Sequence, residues 1–200
     1  MTRLVDRGAI VAAYVGIGMA LAIGVSFLLV IPIEPVYWLL APLSGLLIGY
    51  YANARADRRS GPWARILVNG AFAGVVTGLA LAVLLLAVKA LFFAADNGYR
   101  DASSGASLSC RPGADCVYAR YLAVEGGPDR LAGAGITDVA SFTSFYWSQQ
   151  LSTAGILLAV TAGGGLGGAI LFGLAGPRRN QTVRRDNPPE PQPEIGGRPA

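Results

Sequence analysis

The chain has 200 residues, 53% of them hydrophobic and only 14% charged, with no histidine. A mean hydropathy of +0.48 excludes an ordinary soluble domain, and the missing histidine removes the commonest metal ligand and general base. The formal charge of +4 does not point to nucleic acid, because the arginines flank apolar runs and read as membrane-topology signals.

The first apolar run, 9–31, follows Arg3 and Arg7 and predicts a membrane span. A cleaved signal peptide would have an apolar region of roughly 7–15 residues and a small-residue cleavage site. This run is longer and stops at Pro32-Ile33-Glu34-Pro35, so it is read as retained. Ala12, Gly16, Ala20 and Gly24 recur every four residues and put small side chains on one helix face.

After the proline turn a second span is predicted over 36–52. Tyr37 and Trp38 at one end and Tyr50 and Tyr51 at the other match the aromatic belts of a membrane segment. Pro42 predicts a kink, and Gly45 and Gly49 form another small pair. The short stretch 53–65 holds Arg55, Arg58, Arg59 and Arg65 against Asp57, so it is expected in the cytoplasm.

A third span is predicted over 65–93, within an apolar run from Pro62 to Ala95. Ser60-Gly61-Pro62 supplies a cap and a first-turn proline. Gly70, Gly74 and Gly78 share a face, while Asn69 and Thr77 are mid-span polar groups suited to a neighbouring helix or to their own backbone. Lys89 is the sole lysine. A lysine in an apolar span is a functional-site candidate, but this one lies near the exit, where a snorkelling side chain explains it as well. Glu34 and Asp96 are its candidate partners.

Residues 96–150 are the one sizeable polar region. Its acids outnumber its arginines, which predicts an extracytoplasmic location. Cys110 and Cys116 flank a Pro-Gly turn and are expected to pair as a structural disulfide in an oxidising compartment. Asp115 is expected to cap a short helix over 117–124 that presents Tyr118 and Tyr121 on one face. Thr137-Asp138 opens a second helical pattern carrying Val139, Phe142, Phe145 and Tyr146. It reads either as an interfacial helix or as the aromatic belt of the last span.

That span is predicted over 151–176. Five glycines lie between positions 163 and 168; in lipid such a run permits close helix contact, with Gly164/Gly168 and Ala169/Gly173 as contact pairs. No strand precedes these glycines, so they are not a nucleotide-binding fingerprint. Pro177-Arg178-Arg179 ends the helix, and the polar tail 177–200 is expected to be disordered.

The expected fold is therefore all-α: a polytopic four-span bundle over 1–176 in the cell membrane, with glycine-rich interfaces, one extracytoplasmic loop and both termini cytoplasmic. The residues expected to carry the packing are Gly16, Gly24, Gly45, Gly49, Gly70, Gly74, Gly78, Gly164 and Gly168. No cofactor or metal site is read from the chain. The expected role is a non-enzymatic scaffold or accessory protein that contacts the bilayer and a membrane-protein partner or a second copy. The alternative is a small transporter or oligomeric channel subunit, although coupled transporters usually hold carboxylates or histidine near mid-membrane. An enzyme would have to rely on the outer-loop acids alone.

Overall fold

The computed structural model describes residues 5–29, 34–56, 62–95 and 110–176. Ser60, Gly61, Asp96 and the tail 177–200 lie outside them, so the expected Ser60 cap and the expected disorder of the tail are not addressed. The described residues form six helices and no strand: α1 (Arg7–Leu29), α2 (Glu34–Arg55), α3 (Trp63–Ala95), α4 (Ala114–Ala123), α5 (Gly127–Gly133) and α6 (Val139–Ala175).

Uninterrupted apolar runs make the long helices. Pro62 precedes the first residue of α3, where a missing N–H costs nothing, and its carbonyl accepts from Arg65 N at 2.9 Å. Three segments are long and apolar enough to cross a membrane: Arg7–Val25 in α1, the whole of α3 and the whole of α6. The second helix, with its tyrosines, tryptophan, Asn53 and Pro42, is not among them, although it runs through Pro42 as one helix.

Side-chain and backbone contacts fix the arrangement. Gly16 meets Thr77 and Gly24 meets Leu84, so α1 runs parallel to α3. The register of Gly45 with Thr161 and Gly49 with Gly165 makes α2 parallel to α6. Phe93 packs on Tyr146 and Trp147 while Trp63 lies against Gly173, so α3 and α6 are antiparallel. The last helix sits against both α2 and α3, and α1 packs against that pair as well.

The interior of the bundle is built from small side chains. Ala9, Ala12, Ala20, Ala52 and Ala73 are fully buried or nearly so, and the larger Leu81, Leu85 and Leu157 fill the middle. Leu39, Leu43 and Leu47 of α2, Val75, Leu79 and Val83 of α3, and Leu166, Ile170 and Leu174 of α6 all face outward. Polar Ser44, Asn53, Asn69, Thr77 and Thr161 are buried instead. This inverts the usual arrangement of a water-soluble domain.

At 1.5 Å per residue, α3 and α6 are about 50 and 55 Å long, against about 35 Å for α1 and α2. The two long helices therefore outrun the others at one end. There α4 and α5 pack on them as a cap around Phe142, which is completely buried, with Leu131, Ile136 and Tyr146. The final helix begins at Val139 rather than Leu151, so the aromatic segment and the apolar span are one continuous helix. Asp138 caps it: its Oδ1 accepts from Ser141 N at 2.7 Å, while the Ser141 hydroxyl accepts from Asp138 N. The expected Asp115 cap is not formed. Instead α4 starts three residues earlier than 117, after Gly113 at φ 137°, a conformation natural only to glycine, and Asp115 falls in its first turn.

Candidate functional site

Three features stand out: a seam of backbone contacts along α6, a polar clamp at one end of the bundle, and a cavity at the other.

The seam centres on Gly165. A β-carbon there would come within 2.5 Å of the Gly70 carbonyl oxygen and 2.8 Å of Gly74 Cα. Gly70 and Gly74 of α3 are equally closed: carbons added to them would lie 2.6 Å from the Gly165 oxygen and 3.0 Å from its Cα. Towards α2, Gly164 and Gly168 lie against the Pro42 and Leu46 carbonyls, and Gly45 and Gly49 against the backbone of Thr161 and Gly165. Of the other expected packing glycines, Gly16 is closed by the Thr77 hydroxyl, with Thr77 Cβ at 3.1 Å from an added carbon, and Gly78 meets Leu158 Cδ1, the Leu158 carbonyl and Thr161 Cβ, all at 3.1 Å. Gly24 makes ordinary contact with Leu84 at 3.4 Å. Gly163 and Gly167, on the outer face of α6, have nothing within 4 Å.

The clamp joins the start of α1, the end of α2 and the start of α3. Asn69 on α3, 1% exposed, accepts from Asp6 N at 3.1 Å and donates to Asp6 Oδ2 at 3.1 Å. Asn53 Nδ2 donates to the Gly49 carbonyl on its own helix and to the Ile66 carbonyl on α3, both at 3.1 Å. Thr77 and Thr161 bond backwards to Ala73 and Leu157 carbonyls in their own helices. Asn69 therefore reaches a second segment, and Thr77 stays local. The roles of Asp6 and Asn53 were missed in the sequence; a polar side chain at the inner edge of an apolar run is the signal that marks them.

Lys89 lines a cavity of about 250 Å³ beneath α4. Phe93 of α3 and Tyr146 of α6 form its floor; Arg120, Tyr121 and Val124 form its roof. Tyr121 and Val124 in that roof are 43% and 57% exposed. Asp96 and the Glu34 side chain lie outside the described residues, so neither expected partner is placed. Extending the register of Gly24 with Leu84 puts Lys89 level with the end of α1. The cavity thus lies where the short helices stop and the long ones continue. Cys110 and Cys116 are joined, with Cα atoms 5.4 Å apart, and Cys116 is buried in the first turn of the helix that roofs the cavity.

No known protein family is matched by the chain, and no curated protein and no solved structure is detectably similar to it.

Proposed function

We propose that this chain is a four-span protein of the cell membrane that serves as a non-enzymatic scaffold or accessory subunit. In this reading α2 is the fourth span, both termini and the basic 53–65 stretch are cytoplasmic, and the α4–α5 cap is extracytoplasmic. The observation that carries it is the inverted burial. Leucine and valine point outward from all four long helices while the buried polar groups sit between them, and such a surface suits contact with lipid. Leu39, Leu43 and Leu47 extend the outward apolar face to α2, which supports counting it as a span. Helix length supports the rest: the parts of α3 and α6 that exceed a hydrocarbon core of roughly 30 Å are those that carry the cap.

The glycine seam favours a scaffold over a transporter or channel subunit. Backbones of α2, α3 and α6 meet in close contact along the seam, which leaves no room for a conduit between those three helices there. Alkaline phosphatase fusions in a bacterial host test the topology. Fusion after Gly61 is expected to be inactive and fusion after Gly126 active; activity at Gly61 inverts the reading. Mild cross-linking in native membranes should capture a stoichiometric protein partner. Solute or ion flux through proteoliposomes of the pure protein would replace the scaffold with a transporter.

A further inference from the structure

We propose that the end of the bundle at the polar clamp binds an anionic phospholipid, its phosphate held by Arg7 and Arg55 and its chains laid along the outward faces of α1 and α2. The inference deepens the membrane reading above and rests on it. Arg7 opens α1 and Arg55 closes α2, and the two helix ends touch. A β-carbon on Gly8 would lie 2.8 Å from the Arg55 carbonyl carbon and 2.5 Å from Ala56 N. Both arginines are exposed, and two long side chains that leave touching backbones can reach one phosphate. Arg65, one turn before Asn69 on α3, adds a third cation at the same end. Asp6 is the sole carboxylate there among the described residues, and its Oδ2 accepts from Asn69. Three guanidinium groups against one carboxylate leave an excess of positive charge however they pair. Phosphate is an anion that the planar guanidinium fork matches in shape as well as charge.

What lies inward of the cations narrows the anion to a lipid. Counting back from Arg55 by fours gives Tyr51, Leu47, Leu43 and Leu39, all exposed. One face of α2 therefore carries a cation at its end, then a tyrosine, then leucines. Counting forward from Arg7 gives Val11 and Val15, also exposed. Each arginine heads an apolar stripe along the outside of the bundle, in the order in which a phospholipid presents phosphate and chain. Depth agrees as well. Tyr51 and Trp63, both exposed, sit where aromatic residues mark a membrane–water interface, and Arg55 lies one turn beyond Tyr51, at the level of headgroups. A soluble phosphate would need the cations alone.

The test uses the full chain in neutral detergent, with melting temperature as the readout. Saturating short-chain phosphatidylglycerol should raise it by about 5 °C, and phosphatidylcholine of the same chain length should not. Arg7→Gln and Arg55→Gln should each weaken the apparent affinity for phosphatidylglycerol about fivefold. Arg111→Gln, which removes an exposed arginine beside the disulfide, should leave it unchanged. Tyr51→Glu sets a carboxylate one turn inward from Arg55 on an exposed face and should abolish the response with every arginine in place; it decides the matter if an arginine variant folds poorly. Glycerol 3-phosphate, which carries the phosphate without the chains, should give no shift at the same concentration. An equal shift from glycerol 3-phosphate overturns the proposal. Equal shifts from the two lipids, or a phosphatidylglycerol response unchanged in Arg7→Gln and Tyr51→Glu, overturn it too. Carbonate extraction of the unsubstituted chain runs in parallel: release from membranes would sink the membrane reading, whereas retention without a lipid response sinks only the lipid site.

Discussion

Where α6 passes Gly70 and Gly74, helix meets helix backbone to backbone; about five turns away, where it passes Phe93, the gap is filled by rings. Both contacts join α3 to α6, and they differ in what they tolerate. At the seam every added atom meets a carbonyl or an α-carbon, neither of which can rotate out of the way. At the cap, Phe93, Phe142, Tyr146 and Trp147 meet at tilted or edge-on angles with centroids 4.9–6.2 Å apart. Rings at such angles bury much surface but leave corners, and Lys89 lines one of them. Backbone contact holds the helices close at the seam, and looser ring packing leaves a cavity at the cap.

The sharpest way to break this contrast is Gly165→Leu. Overpacking a closed contact of this kind should cost about 3 kcal/mol, read as a large drop in melting temperature in detergent. Gly163→Leu, two positions away on the open face, should be neutral or slightly stabilising, since glycine itself costs up to about 1 kcal/mol in a helix. Equal effects at the two positions would mean that the seam is not where the helices are held.

At the other end the equivalent probe is the disulfide. Replacing Cys110 and Cys116 by Ser removes a small closed loop worth about 2 kcal/mol on chain-entropy grounds. The loss should be local: faster proteolysis around α4, with the membrane-protected fragments of the long helices unchanged. Rapid thiol labelling of the native protein at neutral pH would mean that the bridge is labile and would point to a redox role.

These outcomes depend on features the sequence reveals unequally. The apolar runs place both ends of α1, α2 and α3, and the end of α6, to within a few residues, because a helix satisfies its own backbone where the side chains offer no partners; the start of α6 lies at Val139, well before the expected 151. Gly45, Gly49, Gly70, Gly74, Gly164 and Gly168 could be named as small faces from spacing alone. Gly165 could not. In a run of five glycines every face looks open, and which one meets a neighbour depends on the rotation of α6 between two partners. The Asp138 pattern marks the start of the last helix, but it fits both a separate interfacial helix and one that feeds directly into the span, since an aromatic interfacial segment and an apolar one share a period. Asp115 misled because the neighbouring glycine reaches φ 137° and starts the helix without a side-chain cap.

The smallest expected effect concerns that Asp138 cap. Hydrogen bonding from the Ser141 backbone, then from its hydroxyl, holds the carboxyl below its usual value of 3.8. A lowered folded pKa means that the carboxylate favours the folded state above the unfolded value, and that this contribution fades as pH falls from about 3.8 through the folded pKa. Hydrogen exchange in the first turn of α6 should therefore quicken between pH 5 and pH 3, corrected for intrinsic rates. Asp138→Ala should show the faster exchange already at pH 5 and no further change. A pH response surviving in the variant would assign it to another group.

The position of α6 between α2 and α3 also has a consequence in time. Helices leave the ribosome in order, and this one is last. When α3 has been made, residues 96–175 are still to come, which at roughly 5–20 residues per second takes about 4–16 s. Throughout that interval Gly45, Gly49, Gly70 and Gly74 lack the helix that they pack against in the folded chain. A ribosome stalled before Val139 would leave a nascent chain that has the clamp residues Asn53 and Asn69 but lacks the helix that packs against these glycines.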